Sequence, residues 1–329
     1  MRDQILTILL ENRDSFVSGE DISQKLGVSR TAVWKTMGQL KESGFEMQSV
    51  PNKGYRLTSL PDKLEPALIQ HYLTTKQFGR VIETHVTMDS TNTRAKELAQ
   101  NGAAHGTLVT AEEQKNGRGR LGRSWESPRS LGLWMSLILR PSFSPRHAPQ
   151  MTVLAGLAVV HTICKTTGLE AFIKWPNDII VNSKKVCGIL TEMQADLDLI
   201  DYIVAGIGIN VNTPKEGFPR ELRNSATSLK LELGAHIDRC RLSAELMAVF
   251  EGLYERCLAA GNFSEILNEY KSKCITLGRQ VRVTGPSETF EGTAADLTDD
   301  FQLLVETKTG ELRGVFSGDV SVRGIAAYL

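Results

Sequence analysis

The segment 115–125, KNGRGRLGRSW, carries Lys115, Arg118, Arg120 and Arg123 interleaved with Gly117, Gly119 and Gly122, and it holds no acid. Glycines let backbone amides approach an anion closely, and guanidinium groups bind carboxylate or phosphate through paired hydrogen bonds. The chemistry expected here is the clamping of two anions. The spacing also approaches G-x-x-x-x-G-K-[ST] at Gly117, Gly122, Arg123 and Ser124. A P-loop is nevertheless rejected, because arginine replaces lysine and the preceding EEQKN is not the buried strand that motif needs. On spacing alone, a mobile solvated turn or a nonspecific nucleic-acid contact stands beside the anion clamp.

Two further segments carry convergent polar groups. Lys174, Trp175, Pro176, Asn177 and Asp178 place a cation, an amide and a carboxylate at a proline-stiffened strand end, and KKVCGIL at 184–190 returns a second basic pair toward an apolar strand, so the two would form a hairpin. The plainer alternative is an exposed turn with Trp175 and Cys187 as core fillers. In YIVAGIGINVN, Gly206 and Gly208 leave one strand face open and Asn210 and Asn212 project amides onto it, which would floor a ligand pocket or belong to a buried strand. The segment lacks the third glycine and following helix of a dinucleotide fingerprint.

These residues need a scaffold, and the chain divides into three. Segment 1–63 reads as a winged helix-turn-helix. Ile5, Leu6, Leu9 and Leu10 share one helix face, Ile22 and Leu26 a second, Gly27 breaks it, and Ser29 caps a third helix carrying Val33, Met37 and Leu40. FEMQSVPNKGYRLT follows as a hairpin wing turning at 51–54. The third helix carries Arg30, Lys35 and Lys41 without an acid before Glu42, and its first turn presents Ser29, Arg30 and Thr31 to phosphates and base edges. The alternative is a three-helix packing or dimerisation module. Pro61 and Pro66 punctuate a linker. Segment 64–274 mixes strand-like runs (VIETHVTM, TLVTAEEQ, LGLWMSLILR, AFIKWPNDIIV, KVCGILTEM, YIVAGIGINVN) with helices at 91–100, 151–166 and 243–259. Without regular βαβ alternation, this predicts an α+β domain with a mixed or antiparallel sheet. Segment 275–329 shifts to short strands separated by turn signals, a small β-barrel.

Composition narrows the class. The 38 basic and 38 acidic residues balance, so nucleic-acid contact must come from local clusters. The longest apolar stretches, 131–139 and 151–164, fall short of the ~20 residues of a membrane span. The amino terminus shows no secretory signal, so the expectation is a cytoplasmic protein without membrane contact. Five cysteines without a C-x-x-C pair argue against disulfides and zinc, and the six histidines show no metal-ligand spacing, so no resident metal site is expected.

Ser90-Thr91-Asn92, Gln114, GRGRLGR, KWPNDI, KKVCGILTE and GIGINVN occur in the order found in biotin protein ligases, and the whole chain resembles their bifunctional bacterial form, the biotin operon repressor. The resemblance implies a two-step ligase: biotin and ATP give biotinyl-5′-adenylate and pyrophosphate, then a lysine of a biotin carboxyl carrier domain, as in acetyl-CoA carboxylase and similar carboxylases, takes the biotin. It assigns catalysis to Arg118, Arg120 and Lys185. Biotin would meet Ser90, Thr91, Asn92, Gln114, Gly117, Arg118, Gly119, Arg120, Lys185, Gly188, Leu190, Gly206 and Asn210. ATP would meet Arg118, Arg120, Arg123, Lys174, Trp175, Asn177 and Asp178, with Mg²⁺ arriving alongside it.

The resemblance also implies operator DNA as a partner, through Ser29, Arg30, Thr31, Trp34, Lys35 and Lys53, with Trp34 either reading DNA or packing on the wing. The adenylate-bound chain would be a homodimer, and the C-terminal unit an SH3-like barrel. The segment after Asn212 has no tryptophan where some relatives place an aromatic over adenine, which leaves the purine's partner open. A catalytically silent biotin-sensing repressor and a lipoate-type ligase are the alternatives.

Overall fold

The computed structural model describes residues 1–197, 199–285, 288–317 and 321–324. Its first unit follows the apolar spacing. Helix α1 (Arg2–Glu11) buries Ile5, Leu6, Ile8, Leu9 and Leu10. Helix α2 (Gly19–Leu26) starts at Ser18, whose hydroxyl accepts from Asp21 N, and stops at Gly27 in the left-handed region. Ser29 caps α3 (Arg30–Glu42) in the same way, accepting from Ala32 N at 3.2 Å. Strands β1 (Glu46–Val50) and β2 (Gly54–Ser59) pair antiparallel as the expected hairpin. Gly54 has φ +104°, and a Cβ there would lie 2.0 Å from Val17 O, so only glycine lets this hairpin close against the helices.

The chain then forms α4 (Pro66–Tyr72) and a seven-stranded sheet: β3 (Ile82–His85), β4 (Leu108–Ala111), β5 (Gly132–Leu139), β6 (Phe172–Lys174), β7 (Asp178–Val181), β8 (Lys184–Asp196) and β9 (Leu199–Asn210). The order is β3-β4-β5-β9-β8-β7-β6, parallel at β3–β4 and antiparallel elsewhere, which is the mixed sheet expected. AFIKWPNDIIV, read as one strand, is two. Pro176 has no N–H for a ladder, so β6 ends at Lys174 and β7 resumes at Asp178 as its antiparallel neighbour.

Alternation sorts the two sheet faces. Leu133, Met135, Leu137, Leu139, Ala205, Ile207 and Ile209 join the main core, shared with α6 (Gln150–Thr167) and α8 (Arg239–Ala260). Ile138, Tyr202 and Val204 pack with Ala95 and Ala99 of α5 (Thr91–Gln100) on the other face. Helix α8 begins before the expected 243, because Asp238 caps it by accepting from Arg241 N at 3.0 Å. The short helices α7 (Leu229–Leu233) and α9 (Leu267–Lys273) complete the unit.

The C-terminal strands β10 (Gln280–Thr284), β11 (Thr289–Leu297), β12 (Leu303–Thr307), β13 (Leu312–Val315) and β14 (Ser321–Gly324) form one antiparallel sheet, ordered β13-β12-β11-β10-β14. Among the described residues no β13–β14 pairing closes it, so the expected barrel is here an open sheet. Residues 318–320 of the last expected strand run and 325–329 of the C-terminal unit lie outside the described residues. No helix among the described residues is long and apolar enough to cross a membrane.

The three units are joined by polar staples as well as by a continuous core. Arg239 is fully buried and donates to Asp62 Oδ1 at 2.8 Å, Glu112 Oε2 at 2.8 Å and Gly132 O at 3.1 Å. Glu112 also accepts from Leu64 N at 2.6 Å, so the 62–64 linker is fixed to the sheet. On the other side the Trp175 indole N–H donates to Phe301 O at 3.1 Å, and Lys271 pairs with Asp296 at 2.7 Å.

Candidate active site

One pocket collects the residues singled out by type and spacing. Ser90, Thr91, Asn92, Gln114, Arg118, Gly119, Arg120, Arg123, Lys174, Asn177, Asp178, Lys185, Gly188, Leu190, Gly206 and Gly208 line it. The loop 117–125 folds as a tight hairpin: Trp125 N donates to Gly117 O at 2.8 Å and Gly119 N to Arg123 O at 2.7 Å, and Leu121 and Gly122 take left-handed φ at its tip. Leu121 is strained there by about 1–2 kcal/mol, the cost of a side chain in that region. Arg120 donates to Asn177 Oδ1 at 3.1 Å and to Ser317 O of the C-terminal unit, tying the loop to the β6–β7 turn and to that unit.

Lys185 owes its direction to a register slip. Asp178 faces Gly188 and Ile179 faces Cys187, but Ile180 faces Lys185, so one extra residue bulges from β8. The ammonium lies 2.6 Å from Asp178 Oδ1 and 5.1 Å from the centre of the Trp125 ring. Lys174 is buried at the end of β6, and burial pushes its ammonium down to about 8 against the pull of Asp178, with Lys185, Arg323 and Arg123 also lowering it. Cys187 is buried, and burial raises its thiol far above its usual value, so it is a core filler without reactivity.

The opposite wall is a hydrogen-bonded chain. Gln114 Oε1 accepts from Thr91 N at 2.8 Å, and its amide donates to Ser127 Oγ at 2.8 Å. Asn92 gives its amide hydrogens to Leu190 O and Glu192, and Ser136 donates to Asn92 Oδ1 at 2.6 Å. Asn92, expected on biotin, is therefore engaged on its donor side by protein.

Several expected residues sit otherwise than anticipated. Asn210 is buried and does not line the pocket, because the Trp134 ring lies over Gly132, its cross-strand partner. Gly117 is buried behind the loop, where a Cβ would lie 2.3 Å from Trp125 O. Trp175 is 2 % exposed with its N–H engaged by Phe301, so it offers only a wall. Trp34 is 70 % exposed. Arg30 lies 3.6 Å from Glu20, while Ser29, Thr31, Lys35 and Lys53 are exposed.

Sequence reasoning missed Trp125, Ser136, Glu192 and Arg323. Trp125 lies against the glycine floor: a Cβ at Gly208 would be 2.5 Å from its Nε1 and one at Gly188 3.0 Å from its ring, and its indole N–H has no acceptor among the described residues. Gly208→Ala must therefore displace this ring. The expected result is a roughly tenfold weaker affinity for the pocket's ligand with a shift in tryptophan emission, since such overpacking costs about 1–3 kcal/mol. Unchanged affinity in a titration would contradict it. Arg323 bears on Lys174 and Val322 lines the pocket, so the C-terminal sheet contributes to the site although no motif there announces it.

Known proteins match these parts in order. Residues 2–56 match the HTH domain family, 84–210 the biotin/lipoate A/B protein ligase family, and 276–323 the biotin protein ligase C terminal domain. The bifunctional ligase/repressor BirA of Bacillus subtilis is 41% identical over 98% of both chains. The biotin--[acetyl-CoA-carboxylase] ligase of Mycobacterium tuberculosis is 30% identical over 79% of this chain and 97% of its own. The biotin protein ligase of Aquifex aeolicus, solved in complex with biotin and ATP, superposes with a TM-score of 0.65 at 29% identity, covering 74% of this chain and 99% of that one.

Proposed function

The chain belongs to the bifunctional ligase/repressor branch of the biotin protein ligases, and from that premise we propose that biotin and ATP are joined in the pocket between the arginine loop and Lys185. The protein is an ATP-dependent biotin protein ligase and a transcriptional repressor. The observation that carries the site reading is the convergence of Arg118, Arg120, Arg123, Lys174 and Lys185 on one glycine-floored pocket whose lining, among the described residues, holds a single carboxylate, Asp178.

In the first step a biotin carboxylate oxygen attacks the α-phosphorus and the bond to pyrophosphate breaks. Two anions must meet. A unit charge about 4 Å away is worth roughly 4 kcal/mol at the effective dielectric of a protein surface, so two or three cations offset the repulsion and stabilise the charge that develops. Arg118, Arg120 and Lys185 take that role here. Gln114, Thr91 and Ser90 face the ureido ring, the Gly188, Leu190, Gly206 and Gly208 wall takes the apolar ring, and Arg123, Lys174, Asn177 and Asp178 face the nucleotide. In the second step a lysine amine of the biotin carboxyl carrier domain attacks the acyl carbon, AMP leaves, and the amine loses its proton.

Mg²⁺ would be held by the phosphates and Asp178, where it supplies further neutralisation of phosphate charge. No cluster of three His, Cys, Asp or Glu side chains exists among the described residues to hold a resident ion. A lipoyl dithiolane offers no N–H or C=O to the Thr91–Gln114 wall, and buried polar groups left unpaired cost about 1–3 kcal/mol each, which favours biotin.

Lys174 gives a pH signature. Its charged form, which attracts phosphate, dominates below about 8. The expected kcat/KM for ATP therefore falls as pH rises through about 8, and Lys174→Met removes that limb. A profile flat from pH 7 to 9 in the unsubstituted chain would contradict the assignment.

The repressor reading places α3 in the major groove with the β1–β2 hairpin as a wing, and Ser29, Arg30, Thr31, Trp34, Lys35 and Lys53 toward DNA. The C-terminal sheet corresponds to the SH3-like unit. Adenylate binding orders the arginine loop and favours a cytoplasmic homodimer whose paired α3 helices meet a two-fold operator. Two measurements test the reading. Intact-mass spectrometry of a carrier domain after incubation with the chain, biotin, ATP and Mg²⁺ is expected to show one added biotinoyl group. Gel filtration and operator binding are expected to change when biotin and ATP are added; an unmodified carrier, or an unchanged monomer with unchanged DNA affinity, contradicts the corresponding half.

A further inference from the structure

The outer face of α3 holds two residues that the packing of the chain does not account for. Trp34 is 70 % exposed, whereas Trp134 and Trp175 are buried and Trp125 lies against the glycine floor of the pocket. An indole ring is one of the largest apolar surfaces a chain can bury, and this one stays in water. Gly38 follows one turn later on the same side of the helix. It sits in the interior of α3, is exposed, has no left-handed φ, and a Cβ there would meet nothing within 4 Å. Glycine inside a helix is destabilising relative to alanine, and neither a turn nor a close contact within the chain requires it here.

Helix geometry and charge say what could approach this face. The buried residues of α3 are Val33, Thr36, Met37 and Leu40, and the helix packs on α1 and α2. At about 100° per residue the opposite side is centred on Thr31, Lys35 and Gly38, with Trp34 beside them. Arg30, Lys35 and Lys41 are exposed, and no acid occurs from Arg30 to Lys41, so the face suits a polyanion. In the major groove of a duplex the apolar group on offer is the thymine C5-methyl, the other base-edge groups being hydrogen-bond donors and acceptors. Helical side chains lean toward the N-terminus, so a side chain at 38 would stand over the turn that carries Trp34. Its absence lets the groove floor come up to the helix backbone and meet the ring.

We propose that Trp34 and Gly38 set the sequence preference of the DNA-binding unit: the indole ring lies on thymine methyl groups in the major groove, and Gly38 leaves the depth that this needs. This rests on the reading that α3 enters the major groove of an operator. Phosphate contacts from the flanking cations fix position without carrying sequence information, so the preference comes from groups that reach base edges.

The test uses the full chain with biotin, ATP and Mg²⁺ and a duplex pool with a randomised centre, enriched by binding. Uracil then replaces thymine one position at a time in the enriched duplex, which removes the methyl group and nothing else. Affinities are read at reduced salt, where phosphate contacts keep weakened variants measurable. The unsubstituted chain is expected to bind about threefold to fivefold more weakly when uracil stands at one or two positions of each half-site, the effect of one lost methyl contact. Trp34→Ala is expected to weaken binding to the thymine duplex by about tenfold and to bind the thymine and uracil duplexes alike, because the pairwise contribution vanishes when either partner is removed. Gly38→Leu is expected to weaken binding by about tenfold or more while Tm holds or rises, since leucine is the better helix former. If no position shows a uracil penalty, or the penalty persists undiminished in Trp34→Ala, the proposal is overturned and the DNA reading stands. Gly38→Leu binding as tightly as the unsubstituted chain overturns it too. If Trp34→Ala changes the gel-filtration size of the chain with biotin and ATP present, the ring serves a contact between copies, which also overturns it. A pool that never enriches removes the DNA reading and the proposal together.

Discussion

Lys185→Ala is expected to slow formation of biotinyl-5′-adenylate by roughly 10²- to 10³-fold, the range for removing one preorganised charge-stabilising donor. The backbone should survive the change, because Lys185 N donates to Ser225 O at 2.8 Å and Lys185 O accepts from Thr227 N at 2.9 Å, neither depending on the side chain. What is lost is the ammonium 2.6 Å from Asp178, and with it the balance of the pocket, since the Asp178 carboxylate would then face the incoming anions less compensated. Lys185→Arg keeps the charge but replaces a compact ammonium with a planar fork that must fit between Asp178 and Trp125, so partial activity is expected. Single-turnover assays with excess enzyme separate this from binding. A loss under about tenfold for the alanine variant would show that Arg118 and Arg120 suffice.

Arg239→Met is expected to be the most destabilising change at any unit boundary. It leaves the Glu112 side chain, 3% exposed, with Leu64 N as its one remaining donor among the described residues, and removes both side-chain bonds from Arg239 to the Asp62 linker. Breaking a buried ion pair by deleting one partner costs about 3–5 kcal/mol. In a chain of several units the loss need not be one cooperative transition, so the sensitive measurement is the rate at which a protease cuts near residue 62, together with the melting temperature. Cleavage should rise by an order of magnitude or more, and Arg239→Met with Glu112→Gln should recover part of the stability because the uncompensated charge is gone. An unaltered melting temperature and cleavage rate would contradict the staple.

Much of the site was legible because its chemistry is written in short runs. GRGRLGR and KWPND announce themselves by charge without acids and by a proline that ends a strand, and both line the pocket. The residues that stayed hidden depend on register and on packing between units. Nothing local marks Ser136 as the partner of Asn92; the link arises because Ser136 lies opposite Gly206 and α5 crosses that face. Trp125 reads as an ordinary aromatic until its ring is found over Gly188 and Gly208. Asn210 shows the reverse relation, a residue read beside the pocket that does not join its described lining. Period-two reading set it beside Gly206 and Gly208, but the strand runs behind Trp134 before reaching it. The helices that escaped prediction, α4, α7 and α9, are five to seven residues long, too short for a 3.6-residue period to stand out.

The most direct measurement of the central claim is ATP–pyrophosphate exchange by the unsubstituted chain with biotin, with lipoate and with neither. Exchange that requires biotin and collapses in Arg118→Ala is the predicted result, because the cationic loop is held to be what lets a carboxylate reach the α-phosphate. Exchange that lipoate supports equally, or that Arg118→Ala leaves intact, would contradict it.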